Sequence, residues 1–209
     1  MIEPALTAGF YGKLPGRGDF VRHGWDDAVV DALDTWLADG LAAWRPADDA
    51  AFADDFAAAP LYTFYAPPGW AGAAALHGVL SPSVDRAGRS FFLVAGIAGS
   101  AAAVWHTAVN HVGFAHAVEA ATYRALGPDS DPDCLGQALV DAIPGGLNAL
   151  TFRSALALPT DAIFWAQSED GDSDVAPLVM RSVRSDVSLL VALLNAAPPA
   201  PGPYTRGDA

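Results

Sequence analysis

The chain has 209 residues, which at roughly 100–200 residues per domain fits one large domain. Its 52% hydrophobic and 17% charged residues exclude a disordered polymer, and a net charge of −13 argues against nucleic acid or an anionic membrane surface as a partner. The single cysteine, Cys134, cannot close an internal disulfide, the N-terminal residues lack a basic stretch followed by an apolar one, and the longest apolar run, residues 91–104, falls short of the roughly 20 residues of a membrane-spanning helix. A cytoplasmic protein without membrane insertion is expected.

Residues 7–14 favour a β-strand, and Pro15, Gly16 and Gly18 end it in a tight loop. Asp26 and Asp27 stand at a helix cap, ahead of Val29, Val30, Leu33, Trp36, Leu37, Leu41 and Trp44 at three- and four-residue spacing; this predicts an amphipathic helix of about five turns. A shorter helical piece carries Phe52 and Phe56. Residues 61–65 read as a strand closed by Pro67, Pro68 and Gly69. Two apolar strands, residues 73–80 and 90–98, flank a polar connection at 81–89 and predict an antiparallel pair. The alanine-rich run 101–126 reads as one long, mostly buried helix, and 133–143 as a second. Residues 161–166 and 177–180 read as strands around the acidic loop Glu169, Asp170, Gly171, Asp172, Ser173, Asp174, and a last helix begins after Asp186. The expected fold class is therefore α/β of the α+β kind, with a mixed, largely antiparallel sheet and helices packed on it. One domain is expected over residues 1–195, and a disordered proline-rich tail over 196–209.

Sites of specific chemistry each lack a required residue. Around Gly9, Gly12 and Lys13, Leu14 stands where a phosphate loop needs Ser or Thr, and the upstream glycine is two positions too close. Gly16 and Gly18 lack the third glycine of a dinucleotide fingerprint, since Val21 occupies its place. Arg17, Gly18 and Asp19 form an adhesion tripeptide, repeated at Arg206, Gly207 and Asp208, which chance explains. His106, His111 and His116 are five residues apart, turning each about 140° from the last on a helix, so one helix cannot aim them at one ion. The acidic loop resembles the start of a calcium loop, but Val175 replaces the glycine and Arg181 the closing glutamate. Cys134 reads as a small buried helix residue. No cofactor and no metal are expected.

Two strand-loop junctions concentrate polar residues: Lys13, Arg17 and Asp19 at one, Asp85, Arg86 and Arg89 at the other. Carboxylates beside guanidinium groups are first of all ion pairs that tie loops together. The same residues also fit a partner-binding surface, or a small hydrolase-like site in which Asp19 and Asp85 act as acid and base and Arg17, Arg86 and Arg89 grip an anion. If the cluster is purely structural, a partner docks elsewhere, with Trp70 as an exposed aromatic.

The run Gly12-Lys13-Leu14-Pro15-Gly16-Arg17-Gly18-Asp19-Phe20 resembles the opening signature of the TagF family of type VI secretion-associated proteins. Asp34-Thr35-Trp36-Leu37 is similar to its Trp-Leu helix, and Pro82-Ser83-Val84-Asp85-Arg86-Ala87-Gly88-Arg89 to its second signature. Phe164-Trp165 stands in for a Trp-Trp pair. The resemblance implies a three-layer α/β/α sandwich and a non-enzymatic, cytoplasmic repressor that restrains assembly of the secretion apparatus after translation. The partner it implies is a forkhead-associated scaffold protein. On the residues alone, the hydrolase-like reading stays open beside it. The two junctions are expected to lie side by side, with a carboxylate-to-guanidinium contact between them.

Overall fold

The computed structural model describes residues 6–44, 49–145, 158–166, 178–182 and 185–196. Within them the chain runs through β1 (Thr7–Gly12), β2 (Val21–His23), α1 (Asp27–Trp44), α2 (Asp49–Ala57), β3 (Tyr62–Ala66), β4 (Ala75–Val84) and β5 (Ser90–Gly99). It continues through α3 (Ala101–Asn110), α4 (Val112–Ala125), α5 (Pro132–Ala142), β6 (Ala162–Ala166), β7 (Leu178–Ser182) and α6 (Val187–Asn195). The strands form one open sheet in the order β2-β1-β5-β4-β3-β6-β7. Every pairing among the described residues is antiparallel, in keeping with the largely antiparallel sheet expected.

Both faces of the sheet are covered, which explains why β5 reads as a continuous apolar run rather than an alternating one. Phe92 and Val94 point to a core built with α1, α2 and α6, where Leu33, Leu37, Phe56, Phe64, Leu190 and Leu193 are buried. Leu93, Ala95 and Ile97 point the other way, against Phe114 and Val118 of α4 and Leu135 and Leu139 of α5. These are the outer layers of an α/β/α arrangement. Gly9, Gly96 and Gly78 align across β1, β5 and β4, and a Cβ at Gly96 or Gly78 would collide with the neighbouring strand's backbone. Glycine is required there because the strands approach too closely for a side chain.

Helix starts follow their caps. Asp26 Oδ1 accepts from Val29 N, Ser100 Oγ from Ala103 N, Asp131 from Asp133 N and Asp186 Oδ1 from Leu189 N. The helix expected over 101–126 is broken in two: His111 leaves the helical region at φ −125° and ψ 64°, and α4 restarts at Val112. Gly113, one residue on, adds backbone freedom at the break. The β4 strand also runs further than its polar sequence suggests. Ser81 and Ser83 are buried in it, paired with Leu93 and Phe91, and the turn shrinks to 85–89.

Two expected environments are reversed. Cys134 is exposed, because it lies in the first turn of α5 on the side away from Leu135 and Leu139. Trp70 is buried rather than exposed, its ring 4.7 Å from that of Trp36. The strand β2 follows the glycine loop after only a few residues and carries no alternating pattern of its own. Among the described residues no helix is long and apolar enough to cross a membrane, and no group of three His, Cys, Asp or Glu side chains is placed to hold a metal ion. The acidic loop 169–174, the tail beyond residue 196 and the second Arg-Gly-Asp tripeptide lie outside the described residues.

Candidate functional site

The loop after β1 and the turn between β4 and β5 meet at one end of the sheet. Lys13 N donates to Phe92 O at 3.0 Å and so extends the β1–β5 ladder by one residue, which sends the Lys13 side chain toward the turn at 85–89. Ser83 Oγ donates to Lys13 O at 2.7 Å, and Arg86 N to Arg17 O at 2.8 Å. The two junctions that are 70 positions apart in sequence are one structure.

At its centre is Asp85, 2% exposed. Oδ1 accepts from Ala87 N at 2.9 Å and Arg89 N at 3.0 Å, which closes the turn around the carboxylate. Oδ2 accepts from Arg89 Nε at 2.6 Å and lies 3.1 Å from Lys13 Nζ, itself buried. Burial alone pushes the Asp85 carboxyl up. The donated hydrogen bonds from the Arg89 backbone, Lys13, the Arg89 side chain and Ala87 overcome it and hold the group well below the usual carboxylate range. Asp85 is therefore ionised and fully engaged, and an oxygen so committed is a poor proton acceptor.

The remaining expected residues have separate partners. Arg89 Nη2 reaches across to Gly18 O at 2.8 Å. Arg17 turns away to Asp131, 3.3 Å from its Oδ1 at the start of α5, and Asp19 accepts from Phe20 N at 2.8 Å within its own loop. Arg86 is exposed, and among the described residues its guanidinium pairs with no carboxylate. The carboxylate contact that crosses between the loops is thus made by the ammonium of Lys13. The guanidinium contact to Asp85 stays within one turn, and the guanidinium that crosses binds a carbonyl.

Sequence reasoning passed over Phe20, Ser130 and Asp131. Phe20 is 43% exposed, stacked on Tyr11 at 5.7 Å and edge-on to Phe91 at 4.8 Å, with Lys13 Nζ 5.2 Å from its ring centre. An aromatic residue right after a glycine loop was the available signal. Ser130 Oγ accepts from Gly16 N at 3.1 Å, a contact across more than a hundred residues for which no local signal exists. Away from these loops, a cleft of about 560 Å³ between α1 and the start of α6 is lined by Asp31, Thr35, Trp36, Asp39, Ser185 and Asp186. Asp31, Thr35 and Asp39 were readable as one helix face from their four-residue spacing. Asp186 arrives from far along the chain, its carbonyl accepting from Trp36 Nε1 at 2.9 Å.

An antiparallel sheet covered on both faces, with two signature loops locked through the buried Lys13 and Asp85 and the exposed Arg89, defines the class of protein. Residues 9–142 match the TagF N-terminal domain, type VI secretion system-associated, and the chain belongs to that family. A crystal structure of PA0076 from Pseudomonas aeruginosa PAO1 is similar over 93% of this chain and 99% of that one, with a TM-score of 0.72 and 27% sequence identity. No curated protein matches the chain.

Proposed function

We propose that this protein is a cytoplasmic, post-translational repressor of type VI secretion assembly that works by binding another protein, a forkhead-associated scaffold of the apparatus. The family places it with type VI secretion. The observation that carries a binding role over a catalytic one is the state of Asp85: buried, ionised and saturated by four donors, it holds two loops and has no lone pair to spare for a substrate proton. The hydrolase-like pairing of Asp19 with Asp85 gains no support, because Asp85 is taken up by its four donors and Asp19 is exposed in its own loop, where its Oδ1 accepts from Phe20 N. What the locked loops leave outside is a surface bearing Arg17, Arg86, Arg89 and Phe20, residue types enriched where proteins meet.

The test is physiological. Deleting the gene should raise type VI-dependent killing of a competitor strain and overproducing the protein should suppress it, with transcript levels of the apparatus unchanged in both. The scaffold should be retained by the immobilised protein. Reduced killing on deletion, or suppression that follows transcript levels, would remove the repressor reading.

A further inference from the structure

We infer that the surface formed by Arg86, Arg89 and Phe20 is a docking site for a short acidic segment of a partner protein, with one carboxylate on Arg86 and an apolar side chain on Phe20. The inference deepens the binding reading above and rests on it only for the partner's identity. Three observations carry it.

The first is the idle guanidinium of Arg86. Arg17 is held by Asp131 and Lys13 by Asp85, while Arg86 has no carboxylate among the described residues, in a chain with more than twice as many acidic as basic groups. Its planar fork suits a carboxylate in two-point contact.

The second is rigidity. The Arg86 backbone is anchored, its peptide N–H bonded to Arg17 O, and its guanidinium stands beside Gly18, where a Cβ would come within 3.3 Å of Nη2. Arg89 flanks the same glycine by its bond to Gly18 O, with its side chain 64% exposed. Phe20 is fixed by Tyr11 and Phe91 while the residue stays 43% exposed. An exposed aromatic held in place, beside an arginine whose backbone is anchored, loses little freedom on docking.

The third is the scale of the charge. Asp19 and Asp131 sit beside the patch, and the chain as a whole is at −13, so a polyanion such as nucleic acid is repelled. A short segment offering one carboxylate next to an apolar residue brings far less charge into that field, and salt screens all but the groups nearest Arg86.

The experiment uses the full chain and two probes. A capped hexapeptide alternating glutamate and leucine is titrated against the isotope-labelled protein, with its glutamine-leucine counterpart as control, and the forkhead-associated scaffold is measured in parallel. The acidic peptide should shift the resonances of Phe20, Arg86 and Arg89, the glutamine peptide should not, and Arg86→Glu should weaken the acidic peptide at least tenfold with Tm nearly unchanged. Equal shifts from both peptides, or wild-type affinity in Arg86→Glu, would overturn the proposal. So would a dimer that Arg86→Glu turns into a monomer, since the occupant would then be a second copy of this chain. If the peptide docks as expected and the scaffold does not bind, the docking site stands and the scaffold reading falls. Phe20→Ala, at a residue outside the buried ionic group, should weaken the acidic peptide severalfold and provides a second variant.

Discussion

Two buried polar sites in this sheet, one at the loop end of β4 and one at its other end, solve the same problem in opposite ways. Asp85 keeps its charge: four donors surround it, and burial is overruled. His77, 1% exposed, gives its charge up. Its Nδ1 donates to Phe64 O at 2.7 Å, its Nε2 has no partner among the described residues, and the rings of Phe114 and Trp165 stand 5.4 Å and 6.0 Å away. Burial pushes its pKa down to about 4, against the smaller upward pull of the Phe64 carbonyl. A buried group stays ionised only where counter-charge and donors converge on it; one hydrogen bond among aromatic rings does not suffice.

The largest test of this contrast removes the counter-charge. Lys13→Met keeps the apolar stem but leaves Asp85 with one cationic partner in a buried place, and breaking such a pair costs roughly 3–5 kcal/mol. Chemical denaturation should show that loss. Lys13→Arg should not restore full stability, because a fork replaces a compact ammonium in a closed space. A Lys13→Met variant within 1 kcal/mol of the wild type, read against the roughly 1 kcal/mol scale of an exposed pair, would mean that Asp85 behaves as a surface carboxylate.

Acid separates the two sites by pH window. The folded state binds fewer protons at His77 than the unfolded chain does between its ordinary 6.5 and about 4, so stability is full above 6.5 and falls as pH drops through that range. The loss should approach about 3 kcal/mol by the low end. Asp85 acts lower. Its folded pKa lies below the ordinary 3.8, so its contribution is present above that value and is lost only as pH falls further. His77→Gln should flatten the stability curve from pH 6.5 to 4 while leaving the steeper fall below it; an unchanged slope in that variant would show that His77 titrates normally.

Legibility divides along the same line between local and assembled features. The cap of Asp26 with the spacing of Val29, Leu33, Trp36 and Leu37 marked α1 closely, and the paired apolar runs marked β4 and β5, because those signals lie within a few residues of what they build. The break at His111 escaped notice since alanine-rich sequence on both sides favours helix and only the local φ and ψ of one residue differ. Both signature loops were visible as charged clusters, yet their wiring was not. Which cation reaches Asp85 depends on Lys13 extending a ladder to Phe92, and Arg17 is drawn off by a carboxylate at the far-removed start of α5. Trp70 illustrates the reverse error. A tryptophan after a proline-glycine turn looks exposed, and the packing of Trp36 and Phe164 against it buries it.

The smallest predicted effect completes the series of charges. Arg17 and Asp131 form an ion pair at 3.3 Å, but both side chains are about half exposed, 49% and 47%, and water and salt screen them. Asp131 also accepts from Asp133 N as the cap of α5, so it keeps a structural task without Arg17. Arg17→Ala should therefore cost less than about 1 kcal/mol, and the cost should vanish in high salt. Asp131→Ala should cost more than Arg17→Ala, since a lost helix cap alone is worth about 1 kcal/mol, and that part should persist in salt. Measuring both variants at low and high ionic strength isolates the pair from the cap. Equal, salt-sensitive losses in the two would show that the ion pair holds the 16–17 loop to α5. Ser130, whose hydroxyl accepts from Gly16 N, would then add little to that junction.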